Sequence, residues 1–269
     1  MNYWQNKVCL ITGASAGLGL SVSRALANRG ARVVMVARTE ETLRKAADSL
    51  DVAGGMLHPF VADVTSAADV DSLARFVHAE CGGVDLLCNC VGQSTRKAIL
   101  DTTCEDFQQL WEVNFLSAVR MTNKFASVLL SRNGHLVNIG SLASKVATRF
   151  YGGYPVSKFA LAAYSQQLRL ELGPQGLHVL LVCPGPIKRP QNEPRYAVAA
   201  VGVPASAQGP GGGAKLRGLD PDRLAEQILT ACERRQPELI LPAKVRILLA
   251  IAALSPKLGD WLLRRATRD

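Results

Sequence analysis

The chain has 269 residues, 48% of them hydrophobic, which is enough to bury a large core and suits one α/β domain better than two small ones. A formal charge of +9 invites a nucleic-acid partner, but aromatic residues make up only 6% and no basic stripe is interleaved with them, which argues against one. Seven cysteines, an odd number outside ligand spacings, are expected as reduced, buried thiols with no metal; Cys88 and Cys90 are expected on opposite faces of a strand, unable to grip one ion.

Residues 8–11 read as a strand almost from the first residue, which leaves no room for a signal or transit segment and favours a cytoplasmic location. Further short apolar runs follow at 32–37, 56–61, 86–89, 134–139 and 179–183, several rich in β-branched residues. Amphipathic stretches at 18–29, 40–50, 67–80 and 107–130 separate them. This alternation predicts a Rossmann-type, doubly wound parallel sheet with helices on both faces. On the second helix Glu41 precedes Lys45 by one turn, a modest supporting pair.

Between the first strand and helix runs Thr12-Gly13-Ala14-Ser15-Ala16-Gly17-Leu18-Gly19. Glycines there let a turn tighten and the backbone approach a pyrophosphate, while the helix N-terminus offers N–H groups and positive dipole. Spaced glycines alone also mark ordinary tight βα turns; the strand-turn-helix context favours the phosphate cradle, built from Gly13, Ser15, Ala16, Gly17, Leu18 and Gly19. At the end of the second strand, where an acid would bind the ribose of NAD, the chain has Ala37-Arg38-Thr39. No carboxylate repels a 2′-phosphate there and a guanidinium can grip one, which points to NADP. The other reading makes Arg38 an ordinary solvated residue and leaves the dinucleotide open.

Hydride transfer to a carbonyl builds charge on oxygen, which needs a proton donor within reach. Tyr154 can donate, and Lys158, one helical turn on, lies on the same face; a nearby ammonium favours the phenolate of a group that titrates at about 10 when free. Pro155 suits the first turn of a helix. Ser141, after a strand, could hold the substrate oxygen beside Tyr154.

Together these residues resemble the short-chain dehydrogenases/reductases over about residues 7–187. The glycine turn matches that family's Thr-Gly-x-x-x-Gly-x-Gly, Asp63-Val64 its adenine-side pair, and Asn89-Cys90-Val91-Gly92, less closely, its Asn-Asn-Ala-Gly. The resemblance implies Tyr154 as general acid/base, Lys158 lowering its pKa and binding nicotinamide ribose, Ser141 orienting the carbonyl, and Asn114 supporting a proton relay. It adds Asn89, Val91 and Gly92, and the nicotinamide-side segment Pro184, Gly185 and Ile187, to the cofactor contacts. Where the family commonly has a threonine soon after that segment, Lys188-Arg189 stand here, which puts a carboxamide contact in question. Cys90 is a small substitute for the family's second asparagine.

Residues 184–218 are rich in proline and glycine with no period, and read as a mobile substrate lid or as a tolerated surface insertion. A helix follows at 221–235, with Asp220 as its cap and Pro221 first. Residues 1–240 are expected as the NADP-binding and catalytic domain and 241–269 as its amphipathic helical extension. The tail's apolar residues, flanked by cations and Trp261, suit a membrane surface through 241–265 or packing over the cleft or a partner subunit; its uncharged run is too short to span a bilayer. It loosely resembles the tails of family members acting on steroids, retinoids or lipid ketones. The expectation is an NADPH-dependent reductase of a hydrophobic ketone or aldehyde, or the reverse alcohol oxidation, in a homodimer or homotetramer as the family implies. A non-catalytic NADP-binding redox sensor or scaffold is the alternative, with an epimerase or dehydratase on the same scaffold a third.

Overall fold

The structure, a computed structural model, describes residues 2–50, 52, 56–188, 203–204, 209 and 216–266. Six of the apolar runs form strands: β1 Val8–Thr12, β2 Arg32–Ala37, β3 Met56–Val61, β4 Leu86–Asn89, β5 His135–Ile139 and β6 His178–Pro184. A seventh, β7 Glu238–Leu241, has no counterpart in the sequence reading. It is four residues long and only half-buried, so it carries too little apolar signal to stand out, and the domain boundary expected at 240 falls inside it. All pairings are parallel, in the order β3-β2-β1-β4-β5-β6-β7.

The helices are α1 Gly17–Ala27, α2 Glu40–Asp48, α3 Ala67–Phe76, α4 Cys104–Trp111, α5 Ser117–Ser131, α6 Tyr154–Leu172, α7 Pro221–Glu233, α8 Val245–Leu254 and α9 Pro256–Ala266. Strand side chains alternate between two cores. Cys9, Ile11, Val33, Met35, Val137 and Leu180 face α1, α2 and α7, while Leu10, Val34, Leu87, Leu136 and Val179 face α3 and α5. Burial on both sides is why these strands read as continuous apolar runs. Each fully buried leucine or isoleucine contributes about 1.5–3 kcal/mol over its exposed state.

α1 and α7 pack through Leu18, Val22 and Leu26 against Leu224, Ile228 and Leu229. Arg24 to Asp222 at 2.9 Å and an Arg29–Glu226 pair lace their solvent edge. Asp220 caps α7, accepting from the N–H groups of Asp222 and Arg223 at 3.1 Å each. The Glu41–Lys45 pair forms at 2.6 Å on the exposed face of α2, where such a pair is worth little.

Three helices expected as single runs are not: the 67–80 stretch is α3 followed by a π-helical turn, Val77–Cys81. The stretch expected as one helix over 107–130 is α4 and α5 joined by a π-helical turn, Glu112–Leu116, which widens the backbone at Asn114. The C-terminal tail bends at Ser255, whose extended φ of −140° is the conformation favoured before Pro256. α8 and α9 then fold on each other, and a Cβ at Gly259 would lie 2.7 Å from the Ala252 Cα, so only glycine permits that approach.

Cys88 and Cys90 correct an expectation. Residues two apart along a strand share a face, and the two sulfurs lie 3.3 Å apart.

At the N-terminal edge of the sheet His135 and His178 are buried and bonded, Nδ1 to Nδ1, at 2.8 Å. The Gln236 carbonyl can only accept, so His178 Nε2–H donates to it at 2.7 Å, and His178 Nδ1 accepts from His135 Nδ1–H. His135 Nε2 then accepts from the Tyr3 hydroxyl at 2.6 Å. Burial, with His178, Arg235 and Lys7 adding to it, pushes the His135 pKa down to about 3. Cys232 brings a third ligand-type atom within 4.8 Å, but the neutral relay already uses every ring nitrogen.

Candidate active site

In an all-parallel sheet wound both ways from β1, the loops leaving β1 and β4 run in opposite directions and open a crevice at the strands' C-terminal ends. The expected site residues that lie among the described ones leave the sheet at this edge or on the helices beside it. The glycine turn follows β1, Arg38 and Thr39 follow β2, and Asp63-Val64 follow β3. Asn89 ends β4 with Val91 and Gly92 just beyond, Ser141 follows β5, and Pro184, Gly185 and Ile187 end β6. Arg189 and most of 184–218 lie outside the described residues.

Gly13 and Gly17 adopt φ of +65° and +54°, left-handed values that glycine enters without strain. A Cβ on Gly19 would sit 2.2 Å from the Gly13 carbonyl oxygen, so α1 meets its own turn only with glycine there. Ala16 precedes the helix and offers no side-chain cap, which leaves the role of capping the first N–H groups to a ligand or solvent. Ser15 is half-buried, Ala16 and Gly17 are exposed, and Leu18 turns into the core. The turn is a cradle with glycine where a side chain would fill it, and it fits a dinucleotide pyrophosphate. Thr12 stitches it to the next strand: its hydroxyl accepts from Cys90 N–H at 3.0 Å and Val91 N–H at 3.4 Å.

Arg38 extends into solvent with its guanidinium 3.8 Å from the Asp63 carboxylate. Burial raises the Asp63 pKa, but hydrogen bonds from the Thr65 N–H and hydroxyl, with the Arg38 and Arg120 cations, outweigh it and hold the carboxyl below its ordinary value. Val64 is buried, and Thr39 precedes the first turn of α2.

On the other side of the crevice Tyr154 opens α6, and Lys158 one turn later is buried with its Nζ 6.0 Å from the Tyr154 ring centroid. The ammonium donates to the carbonyl of Ile139, the last residue of β5, at 2.8 Å. Two residues on, Ser141 caps a short 3-10 turn, Leu142–Ser144, its hydroxyl accepting from Ala143 N–H at 3.1 Å. Asn114 is buried in the π turn, where Oδ1 accepts from Gln93 N–H at 2.7 Å and Nδ2 donates to the Gln93 carbonyl at 2.8 Å. Nδ2 also reaches the Ser157 hydroxyl at 3.0 Å, and Ser157 donates to the Tyr154 carbonyl at 2.8 Å. Gly92 makes this convergence possible, since a Cβ there would lie 3.1 Å from Asn114 Oδ1 and 3.3 Å from Lys158 Nζ. Asn89 is held from β5 by a 2.9 Å bond to Asn138 Oδ1.

A family model for short chain dehydrogenase matches residues 7–197. The chain belongs to the short-chain dehydrogenase family. It is 31% identical over 267 residues to the uncharacterized oxidoreductase YxnA of Bacillus subtilis, covering 97% of this chain and 72% of that protein. It is 28% identical to a fatty acyl-CoA reductase of Acinetobacter baylyi, covering 96% and 83%. The crystal structure of L-sorbose reductase from Gluconobacter frateurii, complexed with NADPH and L-sorbose, superposes with a TM-score of 0.75 at 26% identity over 88% of this chain and 95% of that one. Like its relatives, this short-chain dehydrogenase is an oxidoreductase.

The sequence reading missed two parts of the site. Ser157 lies inside the Tyr-Pro-Val-Ser-Lys segment and relays Asn114 to Tyr154, which a hydroxyl three residues after a helix start signals weakly. Arg96 is buried, its guanidinium 4.0 Å over the Tyr151 ring and 3.2 Å from the Gly209 carbonyl, and Tyr151 in turn lies 6.0 Å from the Tyr154 ring. Neither residue sits in a spacing that points to a site.

Proposed function

We propose that this protein reduces the carbonyl of a hydrophobic ketone or aldehyde with NADPH, and oxidises the matching alcohol in reverse. The observation that carries the reading is the meeting of Asn114 and Lys158 at Gly92 on the ligand edge of the sheet, with the Tyr154 ring 6.0 Å from the Lys158 ammonium and Ser141 two residues beyond the Ile139 carbonyl that the ammonium holds. NADPH held across the Gly13–Gly19 cradle would supply the hydride. Tyr154 gives its hydroxyl proton to the carbonyl oxygen as charge develops there, and Ser141 Oγ holds that oxygen. The Lys158 ammonium favours the phenolate left behind. Asn114, through Gln93 and Ser157, fixes the start of α6 and therefore the height of Tyr154 above the crevice. Asp63 and Val64 would border the adenine of the bound dinucleotide, and Asn89, Val91, Gly92, Pro184, Gly185 and Ile187 its nicotinamide side.

Arg38 supports NADP, because its exposed pairing with Asp63 is weak and a doubly charged 2′-phosphate would replace it. Thr39 offers a hydroxyl beside that phosphate. The acyl-CoA reductase relative and the exposed Ile247, Leu254 and Trp261 on α8 and α9 support a lipid-like substrate. The same face, with Lys257, Arg264 and Arg265 around it, supports contact with an anionic membrane surface; no described helix is long and apolar enough to cross one. Co-sedimentation with anionic vesicles at physiological salt tests that contact, and its absence leaves packing against protein. Seven free thiols suit the reducing cytoplasm. Exposed Trp111, Val156, Phe159 and Leu170 on α4 and α6 support a homodimer or homotetramer, readable by light scattering.

The deciding experiment is a panel of steroids, retinals, 3-ketoacyl compounds and sugars, followed by NADPH absorbance. Oxidation with a hydrophobic carbonyl supports the reading. Turnover of sugars alone overturns the substrate class, and NADPH binding with no turnover across the panel favours the sensor.

A further inference from the structure

We propose that Cys88 and Cys90 form a dithiol modification site under the dinucleotide cradle, which a two-electron oxidant of the peroxide class converts to a disulfide that weakens dinucleotide binding. The site itself stands on the thiol geometry; its effect on binding rests on the function proposed above.

The two sulfurs are 3.3 Å apart, and a disulfide asks them to close to about 2.05 Å. Cys88 is buried in the sheet, whereas Cys90, one residue past the end of β4, is half-buried. That gradient assigns the roles. Cys90 meets the oxidant, its sulfur taking one peroxide oxygen to become the sulfenic acid while the other oxygen leaves as water. Cys88 sulfur then attacks the Cys90 sulfur, the sulfenic hydroxyl departs with the Cys88 proton as a second water, and the S–S bond forms. Two thiols and one peroxide become one disulfide and two waters. The hydrogen bond with Cys90 and then burial hold the Cys88 thiol well above its ordinary pKa, so it stays protonated and is not the thiol that meets the oxidant first. A bridge between residues only two apart has little freedom to relax, which makes it easily reduced by small dithiols.

The coupling to the cradle is geometric. Cys90 N–H donates to the Thr12 hydroxyl, and Thr12 leads directly into the glycine turn. Cys90 C and Val91 N both lie 3.4 Å from where a Gly13 Cβ would stand, so the Cys90 backbone runs one side-chain atom away from the turn. Drawing Cys90 toward Cys88 moves Thr12 and Gly13 with it. Asn89, Val91 and Gly92, on either side of Cys90, are the residues assigned to the nicotinamide side.

The experiment uses the full chain carrying Cys104→Ser, which removes the exposed thiol at the start of α4. Protein treated with hydrogen peroxide is digested without reduction for mass spectrometry, and NADPH binding is titrated by fluorescence before oxidation, after it, and after dithiothreitol. The expected result is a peptide holding residues 88–90 that is lighter by two hydrogens, an NADPH dissociation constant raised about tenfold, as for loss of one good hydrogen bond, and recovery with dithiothreitol. Cys90→Ser and Cys90→Ala should each abolish the mass change and the shift on oxidation. Absence of the disulfide, or a Cys90 sulfinate in its place, overturns the site. A disulfide that leaves NADPH affinity unchanged overturns the coupling. If the reduced protein binds no nicotinamide dinucleotide at all, the function reading and the coupling fall together, while the mass result still judges the dithiol.

Discussion

The two ends of the same strands hold polar clusters of opposite character. At the N-terminal edge, Tyr3, His135, His178 and the Gln236 carbonyl form a relay in which each ring nitrogen has a protein partner and both histidines are buried. At the C-terminal edge the supporting groups, Asn114, Ser157 and Lys158, are as buried, but Ser141 and Tyr154 keep access to solvent and the glycine turn presents backbone in place of side chains. A buried polar residue is therefore not evidence of function by itself. One network closes on itself; the other is held open by buried struts, and the proposed chemistry belongs to that one.

The sharpest way to break the comparison is at Tyr154. Tyr154→Phe should lower turnover by about 10²–10⁴-fold, the usual contribution of a general acid, while NADPH affinity stays near that of the parent. Steady-state rates with any carbonyl the protein turns over would check this, and retained activity removes Tyr154 from the role. Next in size is Gly19→Ala. Its Cβ would meet the Gly13 carbonyl, so the turn must open, at about 1–3 kcal/mol of stability and with NADPH binding lost or strongly weakened. Parent-like binding and melting would show that the turn has room the structure denies it.

Arg38→Ala should cost about tenfold or more in NADPH affinity and leave NADH nearly unchanged, since only the 2′-phosphate is touched. Equal NADPH and NADH affinities in the parent would sink the NADP assignment before any variant is made. The smallest effect belongs to the opposite edge. The folded His135 pKa is depressed below the ordinary value of 6.5, so unfolded chains take up a proton that the folded relay refuses. The stabilisation is fully present above pH 6.5 and is lost as pH falls from there toward about 3, at up to roughly 1.4 kcal/mol per pH unit for that proton. His135→Gln should flatten this slope in denaturant midpoints measured between pH 7 and 4, with oxidoreductase activity at neutral pH little changed. An unaltered slope assigns the acid sensitivity to other groups.

The strand pattern and the site motifs were legible for the same reason. Parallel strands buried on both faces leave uninterrupted apolar runs, and a phosphate turn or a one-turn Tyr-Lys pair fixes residue types at short spacing. What was not legible depends on contacts distant in sequence or on backbone geometry. The His135–His178 relay joins residues 43 apart, and the π turn around Asn114 is a hydrogen-bond register that no apolar period encodes. β7 is too short and too exposed to announce itself. The Cys88–Cys90 contact was misread because period-two alternation was applied one residue out of step.

Arg96 has a consequence for anyone redesigning this protein. It touches the Gly209 carbonyl on one side and the Tyr151 ring on the other, and Tyr151 neighbours Tyr154. Arg96 and Tyr151 thus link the Gly209 carbonyl to the proposed acid, so that a change at one end of this chain of contacts reaches the other. A redesign that alters Arg96 or Tyr151 is therefore a redesign of the surroundings of Tyr154.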